Sequence, residues 1–399
     1  MMINFEVAKQ IILDNARTLS DITINVEESF GYVLAEDIVT DRDFPDTKKS
    51  AVDGFAIKLS DRNQYKIIRT IVPGELVRIK LKKGTAVFVM TGAVVPENAD
   101  AVVRVEDCDS KGDLLSIHCH VKVGDNINQI GEEKKVGEKV IKKGSIIDER
   151  VYPVLFYLGL KKVKVFQKPK VGIFTTGDEL LDIGSEYKKG FVFNTNRYIV
   201  ESVLRKLNIS FDYYGNIKDD EIAVSRALKD MFERYDILIS SGGVSMGKYD
   251  YIKKLLNEEN YEILINRTKI KPGSPLIVAK NKKSIIFGMP GYPTAFFTNL
   301  LLYFLPYIKK TVGRKDFNHN FVKVELGSDM HSKEKSDYFN RANIVFENGK
   351  YIAYGLDSQK TSHFINFANC NGLVRIPQGV GNVNKGYIAE AILFEKEIR

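Results

Sequence analysis

Asp236-Ile237-Leu238-Ile239-Ser240-Ser241-Gly242-Gly243-Val244-Ser245-Met246-Gly247-Lys248-Tyr249-Asp250 decides how this chain is read. A short apolar strand runs into glycines and ends in an acid. In an open parallel α/β sheet, ligands bind beyond the carboxyl ends of the strands, where glycines let backbone N–H groups come close to an anion. The stretch has that layout and marks a site for a phosphorylated or otherwise anionic ligand. Gly-Gly after a strand also makes ordinary turns, so the weight falls on what accompanies it.

Working outward, the chain has 399 residues, more than one hydrophobic core usually serves, and 44% of them are hydrophobic. Several domains with ample core are expected. Cys108, Cys119 and Cys370 lie far apart with no CxxC pair, which argues against a disulfide framework or a thiolate zinc site and fits a reducing cytoplasm. Met1 to Glu6 lacks the basic and apolar regions of a signal peptide, and Ala295 to Ile308 is too short and too interrupted to span a bilayer. Lys and Arg total 59 against 51 Asp and Glu, for a net charge of +8. The lysines sit in scattered doublets beside turns (Lys48-Lys49, Lys134-Lys135, Lys282-Lys283), the pattern of a solvated surface. Neither a nucleic-acid nor a membrane partner is expected.

Asn4 can cap a helix whose Phe5, Ala8, Ile11 and Ile12 share a face. From Phe44 the texture becomes β-rich, with Val77-Arg78-Ile79, Ala86 to Met90, Ala101 to Val105 and Leu114 to Ile117 as strands. A helix capped by Asp148 and stopped by Gly159 follows. After Pro169 strands and helices alternate: Val171 to Phe174, Arg197 to Leu207, Ile209 to Tyr213, Glu221 to Arg234, Ile237 to Ile239, Tyr249 to Leu256, Ser284 to Phe287 and Thr294 to Lys309. That alternation specifies a parallel sheet with helices on its faces. Beyond Gly313 the helical period disappears and a separate β domain begins.

The strand ends of the α/β domain carry Thr175 to Leu180, Gly215 to Asp220, the opening stretch, and Arg267 to Pro275 with Gly288 to Pro293 beyond it. Glu179, Asp219 and Asp250 therefore come from three strand ends along one edge. Carboxylates without nearby histidine or thiolate suit a hard cation such as Mg²⁺, which prefers oxygen and bridges to phosphates. Arg267, Lys269 and Lys271 would share one face of a continuous strand and clamp an oxyanion. Against this, Asp219 and Asp220 can simply cap the helix from Glu221, Asp178 and Glu179 can open a helix, and Thr195-Asn196 can cap the helix that follows. His118-Cys119-His120 puts two histidines on one strand face but has no third ligand, so an exposed strand is the better reading.

Thr176-Gly177-Asp178-Glu179-Leu180, Ser240 through Gly247 with Asp250, Ile270-Lys271-Pro272-Gly273 and Gly288-Met289-Pro290-Gly291 occur in an order and spacing that resembles the molybdopterin molybdenumtransferase family, which includes bacterial MoeA and the gephyrin E domain. Ser50-Ala51-Val52-Asp53-Gly54-Phe55-Ala56 resembles that family's S-A-M-D-G-Y-A, and Thr91-Gly92-Ala93 with Pro96 through Val103 its T-G-A…P…A-D-A-V-V. Arg341 and Ser362-His363 fall where the family has polar residues in its C-terminal β domain. The resemblance covers essentially the whole chain.

It implies a multidomain α/β plus β architecture: a central parallel-sheet α/β domain (169–313), an inserted β domain (44–134), an N-terminal linker and dimerisation region (1–43 with 135–168) and a C-terminal β-barrel domain (314–399). It also implies a cytoplasmic homodimer that inserts molybdate into adenylated molybdopterin with Mg²⁺-dependent loss of AMP, in transient contact with other molybdenum-cofactor enzymes. By the same resemblance, Asp53, Thr91, Glu179, Asp219, Asp250, Arg267 and Lys271 carry catalysis, with Glu179, Asp219 and Asp250 as metal ligands. Thr176, Gly177, Asp178, Ser241, Gly242, Gly243, Ser245, Pro290, Gly291, Arg341 and Ser362 bind the pterin substrate, and Asp53 and Thr91 serve the partner's cleft.

Four positions depart from the family pattern. Arg267 stands where a lysine is usual, Ser274 replaces the second lysine of K-P-G-K-P, and Tyr292 and Ala295 replace the Asn and Ser of G-x-P-G-N-P-x-S. A planar guanidinium and a compact ammonium are not interchangeable at an oxyanion. These changes leave open a catalytically altered paralogue acting as a pterin-binding or scaffold protein, and a tungstate-selective insertase. A nucleotide-processing enzyme follows from the α/β fold alone.

Overall fold

Leu238 and its neighbours place the sheet that carries the site. The computed structural model describes residues 2–76, 78–243, 251–258 and 261–397. Ser245, Asp250 and the rest of 244–250, the expected start of the helix at Tyr249, and Val77 lie outside the described residues. The chain divides into two compact units, Met1–Glu36 with Gly144–Arg399, and Asp37–Lys143.

In the larger unit, a six-stranded sheet has the order Phe211–Ile217, Val171–Thr176, Ile237–Ser241, Ile285–Met289, Ile277–Lys280, Glu262–Asn266. The first four strands are parallel, and Ile277–Lys280 is antiparallel to both its neighbours. The parallel strands read as apolar runs because both faces are covered. Val171, Ile173, Ile237, Ile239, Ile285 and Phe287 pack on one side with the helix Asn196–Lys206, and Phe174, Leu238 and Ile286 pack on the other with Glu221–Arg234 and Tyr251–Glu258. Each large apolar side chain fully buried this way contributes about 1.5–3 kcal/mol.

The N-terminal helix, Phe5–Asp14, starts as its sequence requires, with Asn4 Oδ1 accepting from Val7 N at 3.1 Å. The long apolar helix runs from Pro293 to Thr311 with one π-helical turn at Leu300–Phe304. Pro306 has no N–H to give to the carbonyl of Leu302. A ring nitrogen of His319 takes that carbonyl at 2.9 Å.

At the C-terminus, Val322–Leu326, Asp337–Glu347, Lys350–Gly355, Gly372–Ile376 and Ile388–Leu393 close on themselves as a five-stranded barrel. Closure removes the free edges that an open sheet would expose. The short strand Ile270–Lys271 adds to the barrel from outside, in parallel with Asp337 and Tyr338. One continuous core joins Phe5 and Ile12 of the N-terminal helix, the sheet, the helix from Pro293 and Phe339, Leu373 and Ile392 of the barrel.

The smaller unit is a six-stranded mixed sheet in the order Ala101–Arg104, Gly54–Ile57, Thr85–Val89, Gln64–Ile71, Leu114–Ile117, Cys108–Lys111. Gly54 allows its centre to close, because a Cβ there would lie 2.2 Å from the carbonyl oxygen of Val103. Arg78 and Ile79, expected in a strand, are irregular. The strand Leu114–Ile117 ends before His118, whose Nε2 faces Asp109 at 2.8 Å, and no three His, Cys, Asp or Glu among the described residues are grouped to hold a metal.

Candidate active site

The strand Val171–Thr176 is followed in sequence by an outer neighbour, Phe211–Ile217, and then by Ile237–Ser241 on its other side. The chain therefore reverses its order at this strand, which makes the carboxyl edge here the switch-point crevice where ligands of such sheets bind. Gly242 and Gly243 line it with φ of +93° and +69°. A side chain at Gly242 is excluded on two counts: the left-handed backbone, and a Cβ that would sit 2.6 Å from Thr176 Oγ1 and 2.8 Å from the Thr176 carbonyl oxygen. The two strand ends are thus in backbone contact, and no room exists for anything larger than glycine.

Thr176 turns its hydroxyl to Asp219, which follows the outer strand. Burial, then the carboxylates of Asp178 and Glu179, raise the Asp219 carboxyl above the ordinary range, against the lowering effect of the Thr176 hydrogen bond. Among the described residues, no basic side chain acts on it. Thr176, Asp178, Glu179, Asp219 and Gly242 are therefore one cluster; of the three acids expected along this edge it holds Glu179 and Asp219, and Asp250 lies outside the described residues. Asp220 does the capping instead, with Oδ1 accepting from Ala223 N at 2.9 Å.

On the other face of the same strand ends is a layer of amides and hydroxyls. Asn194 Nδ2 donates to Thr175 Oγ1 at 3.0 Å and to the Tyr213 hydroxyl at 2.8 Å. Asn196 Nδ2 donates to Ser241 Oγ at 2.6 Å and to the Gly291 carbonyl at 2.8 Å. The helix from Asn196 has no side-chain cap, so the capping alternative for Thr195-Asn196 does not hold. Asn196 instead ties the strand end at Ser241 to the Pro290-Gly291 turn. Its buried Oδ1 has no hydrogen-bond partner within the described structure, and neither has Ser240 Oγ. Buried polar atoms without partners are rare in native proteins, and beside a glycine crevice they are places for a ligand. Sequence reading left Asn196 undecided and passed over Tyr213; only the N-T-N run at a helix start signalled the first.

The cationic loop differs from expectation. Arg267 lies at φ +75°, outside any strand, so the chain turns there and the alternation that would align Arg267, Lys269 and Lys271 on one face is broken. Lys271 is exposed, whereas Ser274 is only 6% exposed and donates from Oγ to the Thr268 carbonyl at 2.7 Å.

Arg341 is 2% exposed. Its Nη1 donates to the His363 carbonyl at 2.5 Å and to Asn366 Oδ1 at 3.0 Å, and its Nη2 to the carbonyls of Ser358 and Lys360 at 2.9 and 3.0 Å. Both terminal nitrogens thus clamp the barrel loop that holds the exposed Ser362. Thr294, at the start of the helix after Gly291, donates its hydroxyl to the Thr361 carbonyl of that loop at 2.5 Å. The barrel loop is in this way fixed beside the Pro290-Gly291 turn, where Tyr292 is 61% exposed and Ala295 is buried.

In the smaller unit, Asp53 and Thr91 meet: Asp53 Oδ1 accepts from Thr91 N at 2.6 Å and from Thr91 Oγ1 at 2.8 Å. These bonds, the backbone one first, lower the Asp53 carboxyl below its ordinary range.

Family models match along the chain in order: the MoeA N-terminal region (domain I and II) over residues 3–159, a probable molybdopterin binding domain over 172–310, and the MoeA C-terminal region (domain IV) over 323–394. The molybdopterin molybdenumtransferase of Staphylococcus aureus strain Mu50 is 31% identical over 398 residues, covering 98% of this chain and 95% of that protein. The chain belongs to the molybdopterin molybdenumtransferase family. Its enzyme class is therefore transferase, with a place in molybdenum-cofactor biosynthesis. The Staphylococcus epidermidis (strain ATCC 12228) molybdenumtransferase is likewise 31% identical, over 399 residues, covering 98% of this chain and 95% of that protein. A crystal structure of the molybdopterin biosynthesis moeA protein from Pyrococcus horikoshii OT3 superposes with a TM-score of 0.83 at 29% identity, covering 98% of this chain and 100% of that one. The molybdenumtransferase fold thus accounts for the whole chain. No helix among the described residues is long and apolar enough to cross a membrane.

Proposed function

We propose that this enzyme inserts molybdate into adenylated molybdopterin and releases AMP in a Mg²⁺-dependent reaction. The observation that carries the reading is the carboxyl edge of the strands, where the Ser241-Gly242-Gly243 backbone, the carboxylates of Asp178, Glu179 and Asp219 and the unpartnered Asn196 Oδ1 are gathered.

The Gly242 N–H donates to the Met289 carbonyl at 3.0 Å, so the backbone N–H of Gly243 approaches the phosphate oxygens while Gly242, lacking a side chain, leaves them room, and Ser241 Oγ, which accepts from Asn196, keeps its own proton to donate. Arg267 and Lys271 balance the charge of molybdate and of the departing phosphate. Glu179 and Asp219 suit Mg²⁺ because they are oxygen donors and the Glu179 carboxylate helps to raise the Asp219 carboxyl, and Asp250 belongs to the same proposed set. Mg²⁺, when bound, draws negative charge from the phosphate oxygens of the anhydride. Asn196 fixes the distance between Ser241 and the Gly291 turn, so the pterin and phosphate contacts keep register. The enzyme works as a cytoplasmic homodimer, with Asp53 and Thr91 serving the partner's cleft and Arg341 holding the Ser362 loop for the substrate. The labour divides among 1–43 with 135–168 for dimerisation, 44–134, 169–313 for the pterin and 314–399. Transient contact with other molybdenum-cofactor enzymes passes the product on.

Purified protein supplied with adenylated molybdopterin, molybdate and Mg²⁺ is expected to release AMP, and Glu179→Gln, Asp219→Asn and Asp250→Asn to abolish release while substrate still binds. Full turnover in all three variants would refute the assignment of the acids. A scaffold reading is favoured by one feature, the uncharged and buried Ser274 in the anion loop; tight pterin binding without AMP release would establish it.

A further inference from the structure

Arg267 is one of four non-glycine residues with positive φ among the described residues, and it opens the cationic loop. Such a backbone costs of order 1–3 kcal/mol and persists only where its surroundings hold it. The holding groups are all identifiable. Arg267 N donates to the Leu276 carbonyl at 2.8 Å, and its own carbonyl accepts from Ile3 N at 3.1 Å. Lys269 N returns to the Ile3 carbonyl at 2.7 Å, so Ile3 straddles the buried Thr268. The neck is closed twice, by Thr268 N to the Ser274 carbonyl at 3.0 Å and by Ser274 Oγ to the Thr268 carbonyl at 2.7 Å. Asn299 Nδ2 holds the far side through the carbonyls of Gly273 and Pro275 at 3.0 and 3.2 Å, and Asp337 N of the barrel takes the Lys269 carbonyl at 2.9 Å.

We infer that Ile3 and Ser274 are positioning residues, which fix the Arg267 to Ser274 loop and with it the backbone from which Arg267 and Lys271 reach the anionic substrate. This rests on the function proposed above. The side chain of Ser274 replaces a charge in the family pattern with a latch: buried, it adds no cation but fastens the two ends of the loop that carries Lys271. Ile3, far off in the sequence, holds the loop through its backbone while its side chain packs on the core, and the pairing makes the segment before the first helix part of the site's frame.

The test uses the full chain. Ile3→Pro removes the N–H given to Arg267 and keeps the carbonyl that serves Lys269; Ser274→Ala removes the latch; Ser274→Thr keeps its hydroxyl. In AMP release assayed against molybdate concentration, Ile3→Pro and Ser274→Ala are each expected to raise KM for molybdate about fivefold, the worth of one hydrogen bond, with kcat within about twofold of wild type. Ser274→Thr restores KM. In a Lys271→Ala background, Ser274→Ala adds no further rise, since the latch acts through the lysine. Unchanged KM in both variants overturns the inference, as does a loss in kcat and stability that Ser274→Thr does not rescue, or full additivity with Lys271→Ala. If the wild type releases no AMP, the function proposed above fails, and calorimetric molybdate binding then decides the positioning role: about fivefold weaker binding in both variants supports it, and equal or absent binding overturns it.

Discussion

Replacing Gly242 by alanine tests the crevice most directly. The new Cβ would meet Thr176 Oγ1 at 2.6 Å and the Thr176 carbonyl oxygen at 2.8 Å, both closer than carbon and oxygen tolerate. The hydroxyl can rotate away, but the carbonyl belongs to the strand Val171–Thr176, which is paired on both sides and cannot move without its neighbours. Holding alanine at φ +93° costs about 1–2 kcal/mol, and relieving the overlap costs about 1–3 kcal/mol. Together these give a loss of about 2–5 kcal/mol, read as a shift of the urea midpoint at unchanged slope. Moving Thr176 also withdraws the hydrogen bond it gives Asp219, so AMP release should fall further than stability alone explains. Gly291→Ala is the control for stability, because nothing lies within 4 Å of a Cβ there and its φ is ordinary. A midpoint for Gly242→Ala that matches Gly291→Ala, with wild-type turnover, would refute the reasoning.

Asp219→Asn should stabilise the chelator-treated protein at neutral pH. The folded carboxyl lies above its unfolded value, so its ionisation costs stability once pH exceeds the unfolded pKa, and the gain from the amide disappears as pH falls below it; urea titrations at pH 7 and pH 3.5 would show a gain only at the first. Asp53 behaves oppositely, because its folded pKa is depressed: the stabilisation from its Thr91 bonds is present above the unfolded pKa and lost as pH falls through the folded one. Thr91→Val, which removes the hydroxyl bond, should move the Asp53 carboxyl back toward its ordinary range in a carbon-13 titration. Arg341→Lys should cost about 3 kcal/mol in urea melts, since an ammonium cannot span four acceptors arranged around a planar fork; a loss under about 0.5 kcal/mol would remove the clamp.

The parallel strands and the glycines after them were legible in the sequence, because apolar runs and Gly-Gly are local signals tied to backbone geometry. That Glu179 and Asp219 share an edge was legible too, since strand ends of a parallel sheet lie together; Asp250, expected with them, lies outside the described residues. Asn196 was not: its two partners lie 45 and 95 residues away, and nothing in N-T-N distinguishes a capping amide from one that bridges two loops. The alignment of Arg267, Lys269 and Lys271 failed because alternation assumes a strand, and a single left-handed residue cancels it. Arg341 could be placed in the β domain but not oriented, because only the fold reveals that its guanidinium faces backbone carbonyls.

The core shared by the N-terminal helix, the sheet and the barrel sets how this unit comes apart. Phe5 packs edge-on against Phe339 of the barrel at 5.1 Å and tilted against Tyr303 of the long helix at 5.8 Å, so one side chain from the beginning of the chain closes both layers. A chain cut at Gly313 would strip Phe339, Leu373 and Ile392 from that core and leave apolar surface where the barrel had been. The sheet is therefore not a detachable module that happens to carry a barrel. Sheet and barrel are expected to melt as one, because the N-terminal helix and the barrel strands share one core with the strands that carry the site.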